Sequence, residues 1–304
     1  MENRVRCRGL YLTAALAIAV VMGLAAVPVL AQDGEGKVGT QVVGGKPVPN
    51  GKYPFMTSIQ ADTSDRPPYK EHFCGGTLID KDSVLTAAHC AVFIGRKTHE
   101  GTLGYRDVRL DVGVTVLNSD QGQRRRIDRL SDIHVHPDYD GERNYKFDVA
   151  VIQLARPVNN IELTALAQPS SGDGLETPPD DAIVAGWGDK RLQPPTGGMP
   201  SQFPKRMQEG DPPLVSDADC KDVYNRLDAD LDVFPRLMVC AGQTAEDTCE
   251  GDSGGPMFAK SSGKYRQIGI TSYGLGCGAT GFPGVYTEVN AEPIYDFITQ
   301  ATGL

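Results

Sequence analysis

Two short segments of this chain hold side chains suited to acyl-transfer chemistry. Asp247-Thr248-Cys249-Glu250-Gly251-Asp252-Ser253-Gly254-Gly255-Pro256 sets a serine in a glycine-rich turn, beside a cysteine and acids. Glycines on both sides of Ser253 let the backbone approach a carbonyl closely, and the N–H groups of Gly251 and Ser253 can converge on a developing oxyanion. A serine hydroxyl needs a base. Leu85-Thr86-Ala87-Ala88-His89-Cys90 offers one, a histidine in a small-residue stretch next to a second cysteine. Taken singly, each has an ordinary structural reading: a satisfied histidine, or a serine that is mere turn chemistry.

These segments, with Val42-Val43-Gly44-Gly45 upstream and Asp148-Val149-Ala150-Val151 between them, resemble the chymotrypsin-like (trypsin-type) secreted serine proteases. The motifs occur in the same order, from about Val42 to the C-terminus. The resemblance implies a catalytic triad: Ser253 attacks the scissile carbonyl, His89 takes and returns the proton, and Asp148 orients the imidazole. It makes Gly251 and Ser253 the oxyanion hole. It also puts Asp247, six positions before the nucleophile, at the base of the primary pocket. A carboxylate in a narrow pocket selects an arginine or lysine side chain, because a buried charge without a partner is costly. Thr248, Glu250, Ser272, Tyr273, Gly274 and Gly284 complete the implied substrate-binding set, the two glycines leaving the pocket open. Two positions depart from the family pattern. Tyr273 stands where tryptophan is usual and keeps an aromatic platform; Glu250 stands where glutamine is common, and its charge disfavours acidic residues near the cleavage point.

The N-terminal region reads as a targeting segment. Arg4, Arg6 and Arg8 precede an apolar run from Leu10 to Leu30, and Val29-Leu30-Ala31 matches a small-residue cleavage pattern. Residues 1–31 are therefore expected to be a signal peptide, residues 32–41 an activation propeptide, and residues 42–304 the protease domain, with a boundary between its two barrels near 160–180. The run is also long enough to serve as an uncleaved anchor. In the resembling family, cleavage frees an amino terminus that pairs with the acid preceding the nucleophile, here Val42 and Asp252. The bond to be cut follows Gln41, which an Arg/Lys-specific enzyme cuts poorly, so a different activating protease is expected.

Loss of residues 1–31 removes three arginines and one glutamate, taking the formal charge from −9 to −11. An acidic body argues against nucleic acid as a partner. The expected partners are protein or peptide substrates with Arg or Lys at the cleaved position, the activating protease and protein inhibitors of proteases. The mature protein is expected to be secreted, extracellular, monomeric and off the membrane. Cys7 leaves with the signal, and the remaining six cysteines allow fifteen connectivities. The family pattern selects Cys74–Cys90, Cys220–Cys240 and Cys249–Cys277. No cofactor or metal is expected: no close Cys-x-x-Cys pair exists, and Asp107, Asp111 and Asp120 have no recognisable calcium spacing.

Short alternating apolar runs bounded by Gly, Pro and Asp predict strands at Phe55–Ile59, Thr77–Ile79, Val108–Val116, Val149–Leu154, Ala182–Ala185, Ile268–Ser272 and Gly284–Val289. Helical spacing shows only in Ala291–Ala301. The fold implied by the resemblance is all-β: two antiparallel six-stranded β-barrels with the active site between them and a C-terminal helix. A proline- and glycine-rich stretch, Gln193–Pro213, reads as a surface loop; the resemblance puts it near the cleft, where it either shapes substrate selection or is a tolerated insertion. The connection Gln60–Glu71 carries the same two readings. A protein of this fold that binds through its cleft without catalysis, or a protease of another primary specificity, are the rival functional readings.

Overall fold

The computed structural model describes residues 42–62, 71–95, 97–98, 101–141, 144–169, 175, 182–226, 231–243, 246–261 and 263–304. The expected signal peptide and propeptide, and most of the 60–71 connection, lie outside these. Among the described residues, no helix is long and apolar enough to cross a membrane.

Alternation builds the strands. In Val108–Val112, Val108, Leu110 and Val112 face a hydrophobic interior. The intervening Arg109 and Asp111 are also buried, and each is paired: Arg109 with Asp62 at 3.0 Å, Asp111 with Arg124 at 2.9 Å. That pairing offsets part of the cost of burying the charges. It also commits Asp111 to arginine, while Asp107 accepts the N–H of Gly104 at 3.2 Å.

The strands form two curled antiparallel sheets. The first runs Gln123–Arg126, Val108–Val112, Met56–Ala61, His72–Leu78, Ser83–Thr86, Ala150–Gln153, Ile133–Val135. Its two end segments are separated by only residues 127–132, so they act as halves of one interrupted strand, and Ala155 N–H reaches across to Arg126 O at 2.9 Å. The second sheet runs Gln208–Gly210, Ile183–Gly186, Pro256–Ser261, Lys264–Tyr273, Pro283–Glu288, Met238–Gly242, Leu214–Val215, with two-residue strands Lys46–Pro47 and Ala165–Leu166 added beside it. Asp211-Pro212-Pro213 divides its own split strand. Proline has no N–H to donate, but the carbonyls of Pro212 and Pro213 still accept from Ala182 (3.0 Å) and Gly242 (2.9 Å). Counting each split strand once gives six principal strands per sheet, the all-β architecture expected.

The C-terminal helix Glu292–Thr302 buries Ile294 and Ile298, four residues apart, against the core. A second helix, Asp217–Arg226, corrects the expectation that helical spacing is confined to the C-terminal tail. Its buried stripe is only Cys220 and Tyr224, too narrow to register as a period. Ser216 caps it, accepting the N–H of Asp219 at 3.2 Å and donating to its carboxylate at 2.6 Å. Disulfides join Cys74 to Cys90, Cys220 to Cys240 and Cys249 to Cys277.

The sheets meet at glycine. Gly75 N–H donates to Ser253 O at 2.7 Å, and a Cβ at Gly75 would lie 2.9 Å from the Cα of Gly255. Gly254, at φ 75°, is equally confined, by Thr86 and the backbone of Gly75. Gly75→Ala is therefore expected to destabilise the protein by about 1–3 kcal/mol and to lower catalytic activity, measured by urea unfolding and peptide-amide hydrolysis of the same preparation.

Candidate active site

The first sheet supplies a histidine and a carboxylate at one end. Ser83–Thr86 runs into the short helix Ala88–Phe93, and its Thr86 pairs with Ala150 of the neighbouring strand. His89 and Asp148, each two or three residues beyond that pairing, are thereby brought together. Asp148 has no solvent exposure. Its Oδ2 accepts from His89 Nδ1 at 2.7 Å, its Oδ1 accepts the His89 backbone N–H at 2.8 Å, and Ser272 Oγ donates to Oδ2 at 2.6 Å. With Nδ1 engaged as a donor to the carboxylate, Nε2 is the ring nitrogen able to take up a proton.

The second sheet supplies the serine turn. Gly254 N–H donates to Thr271 O and Thr271 N–H returns a bond to Gly255 O, both at 2.8 Å, docking the turn on the strand Lys264–Tyr273. Gly251 has φ 94°, a left-handed conformation that glycine adopts without strain. A cleft of about 360 Å³ opens between the sheets. His89, Ser253, Asp247, Thr248, Glu250, Ser272, Tyr273, Gly274 and Gly284 all line it. Asp148, Asp252 and Val42 lie buried outside that lining.

Asp247, 3% exposed, is the buried acid of the cleft lining. Its carboxylate accepts from Thr248 N–H at 2.8 Å and Gly278 N–H at 3.0 Å. Burial outweighs these donors and pushes its pKa up to about 7. A Cβ at Gly284 would come within 2.8 Å of Asp247 Oδ1, so only glycine leaves the carboxylate accessible there. The Cys249–Cys277 disulfide ties the serine turn to the facing wall.

Asp252 is buried behind Ser253, pushed by desolvation up to about 6 against the N–H bonds from Cys249 (3.0 Å) and Gly188 (2.7 Å). Any Cβ at Gly186 or Gly188 would collide with its carboxylate. Among the described residues no cationic side chain pairs with Asp252. Val42, 1% exposed, is packed into the second sheet's core, and Val43 pairs with Asp247, accepting its N–H at 3.2 Å.

Four residues of the site carry no signal in the sequence. His72 is half-buried, and desolvation lowers its pKa to about 4, so it is neutral at ordinary pH. Its Nε2 donates to Gly251 O at 2.8 Å, which leaves Nδ1 to accept from Ser58 Oγ at 2.8 Å. Tyr145 sets its ring 5.8 Å from that of His89 and 5.1 Å from that of Tyr273. Asp189 and Gln193 bind the loop that follows Trp187-Gly188. Each is a single polar residue with no spacing pattern; only the distance to its partner reveals it. Of the proline-rich stretch, Pro194, Pro195, Gly197, Gly198, Met199 and Ser201 line the cleft.

The family model described as Trypsin matches residues 42–298. A trypsin-like protease of Streptomyces glaucescens is 37% identical over 254 residues, 82% of this chain and 79% of that protein. Trypsin of Saccharopolyspora erythraea is 32% identical over 261 residues (85% and 97%), and trypsin-1 of Astacus astacus 32% over 252 residues (82% and 95%). The chain belongs to the trypsin family of chymotrypsin-like serine proteases and is a serine endopeptidase.

The Ser272 hydroxyl bonds a fully buried carboxylate, a charge-assisted contact. Ser272→Ala is expected to cost about 1.5–3 kcal/mol of stability, measured by chemical denaturation; a cost below about 0.5 kcal/mol would show that water replaces the hydroxyl.

Proposed function

We propose that the protein hydrolyses peptide bonds after arginine or lysine through an acyl-enzyme formed on Ser253. The observation that carries this reading is one cleft lined by His89, Ser253 and a buried Asp247 that pairs with no cationic side chain among the described residues, with Asp148 bonded behind the histidine. The substrate's cationic side chain enters toward Asp247. Ser253 Oγ attacks the carbonyl carbon as its proton passes to His89 Nε2, and the oxyanion is held by the N–H groups of Gly251 and Ser253. His89 then gives the proton to the leaving amine as the C–N bond breaks. Water repeats the sequence on the acyl-enzyme, releasing the acid and restoring Ser253. Asp148 stabilises the imidazolium formed in each half.

We also infer synthesis as a secreted precursor: a signal peptide over residues 1–31, a propeptide over 32–41, and a two-barrel protease domain over 42–304 divided near 160–180. Cleavage after Gln41 by another protease would free the Val42 ammonium to meet Asp252. The burial of Val42 and the cation-free Asp252 carboxylate support this. The mature enzyme is read as a secreted monomer acting on protein or peptide substrates and open to protein inhibitors, with no metal or cofactor.

Protein beginning at Val42 is expected to favour Arg and Lys over Phe and Ala in matched peptide amides by at least about 100-fold in kcat/KM, or ~2.7 kcal/mol. Asp247→Ser should erase that preference and Ser253→Ala should abolish turnover; a Phe or Ala preference in the wild type would overturn the pocket assignment.

Because Asp247 binds a cation only when ionised, benzamidine affinity should weaken about tenfold per pH unit below about 7. Affinity that stays constant from pH 8 to pH 5 contradicts Asp247 as the cation's partner.

Asp252 gives a second pH dependence. Its folded pKa, about 6, lies above the ordinary 3.8, so between these values the unfolded chain releases the proton more readily. In the precursor, stability therefore falls as pH rises from about 4 to 6. The Val42 ammonium should cancel this loss, so the mature form's advantage over the precursor grows across that window, by on the order of 3 kcal/mol. Urea unfolding of both forms at several pH values measures it, and a pH-independent difference contradicts the pairing.

A further inference from the structure

One side of the cleft is closed by a loop whose anchor is a buried acid that takes no part in the steps above. Asp189 has no solvent exposure. Its Oδ1 accepts the N–H of Arg191 at 3.1 Å and of Gln202 at 2.7 Å, and its Oδ2 accepts from Gln193 Nε2 at 2.9 Å. One carboxylate thus gathers both ends of the loop. Among the described residues no cationic side chain pairs with it. Gln193 extends the clasp: its amide bonds both backbone groups of Met199 (3.1 and 3.3 Å), and its main chain exchanges two bonds with Cys277 (3.0 and 2.8 Å).

The main chain of Asp189 reaches the serine turn. Its N–H donates to Glu250 O at 2.8 Å. In a trans peptide the C=O and N–H point in opposite directions, so holding the Glu250 carbonyl turns the Gly251 N–H away from Asp189. Glycine at φ 94° tolerates either orientation of that peptide at little cost. A tether must therefore choose between them.

We propose that Asp189 is a positioning residue: its carboxylate fixes the loop so that its own N–H holds the Glu250–Gly251 peptide with the Gly251 N–H in the oxyanion site. The inference rests on the reading of Gly251 and Ser253 as oxyanion donors. Asp189 touches no substrate and no reacting atom; it acts through one peptide group, and its removal weakens transition-state binding and not ground-state binding. His72 holds the next carbonyl, Gly251 O, so the turn is gripped at two consecutive peptides.

The experiment compares wild type, Asp189→Ala and Asp189→Asn, all beginning at Val42, with three readouts: kcat and KM on an arginine amide, affinity for an arginine-terminated peptide aldehyde, and affinity for benzamidine. The aldehyde forms a tetrahedral oxyanion on the serine, whereas benzamidine reports only the pocket. For Asp189→Ala, kcat should fall about 10- to 100-fold with KM within about threefold. Aldehyde affinity should fall in parallel while benzamidine affinity holds. Asp189→Asn keeps an acceptor oxygen for Arg191 and Gln202 and should recover kcat to within about fivefold of wild type. An unchanged kcat in Asp189→Ala overturns the proposal, and so does a parallel loss of aldehyde and benzamidine binding, which marks general disorder. Failure of the underlying reading looks different: wild type and Ser253→Ala are then equally inactive.

Discussion

Everything around Ser253 is organised by the burial of carboxylates. Asp148, Asp189, Asp247 and Asp252 are each 3% exposed or less, within one end of two small sheets. An ionised carboxylate taken out of water without compensation is prohibitive. The chain compensates with N–H and O–H groups: His89, Gly188, Cys249, Thr248, Gly278, Arg191 and Gln202 each turn a backbone N–H toward one of these acids, and Ser272 turns its hydroxyl. Those bonds constrain the path of the loops that carry the donors. They also explain glycine at positions 186, 188 and 284, where any side chain would strike a carboxylate.

On the function proposed, each acid has its own counterpart. Asp148 meets an imidazolium that exists only while Ser253 is being acylated or released. Asp252 meets an ammonium created once, by cleavage. Asp247 meets a cation brought by each substrate. Asp189 has only neutral donors, and its task is geometric. Burial keeps Asp247 and Asp252 poised, since a raised pKa means that the arrival of a positive charge is strongly favoured. Local chemistry and sequence-distant elements are thereby coupled: the segment at Val43 pairs with the pocket acid, and the first sheet's Gly75 holds the carbonyl of Ser253.

The sequence announced some of this and concealed the rest, for physical reasons. Val108–Val112 is legible because one face is apolar at period two, and Ile268 with Ile270 marks the centre of Lys264–Tyr273, whose polar first residues carry no such signal. Gln123–Arg126 has no apolar residue, so no alternation can reveal it as a strand; its arginines instead serve Asp111, Asp62 and the carbonyls of Arg156 and Pro157. The helix Asp217–Arg226 shows too narrow a buried stripe, although the Ser216-x-x-Asp219 cap was available as a signal. The glycine-rich serine turn and the His89 segment stand out because they are dense local motifs. His72, Tyr145, Asp189 and Gln193 act through partners distant in sequence or through a loop whose path only folding defines, and nothing local marks them. The proline-rich stretch Gln193–Pro213 is a loop over its first part, but Gln208–Gly210 within it is a strand of the second sheet, which the surrounding prolines and glycines conceal; the bonds between Gln193 and Cys277 hold the loop at the cleft, where the resemblance put it.

The central claim is that Ser253 is made nucleophilic by His89 in this cleft. Its most direct measurement is intact-mass and peptide mapping of protein beginning at Val42 after treatment with an organophosphate, beside a His89→Ala variant. A single adduct per chain on Ser253 is expected, its rate of formation at least about 1000-fold slower without His89. An adduct elsewhere, none at all, or a rate indifferent to His89 would contradict it.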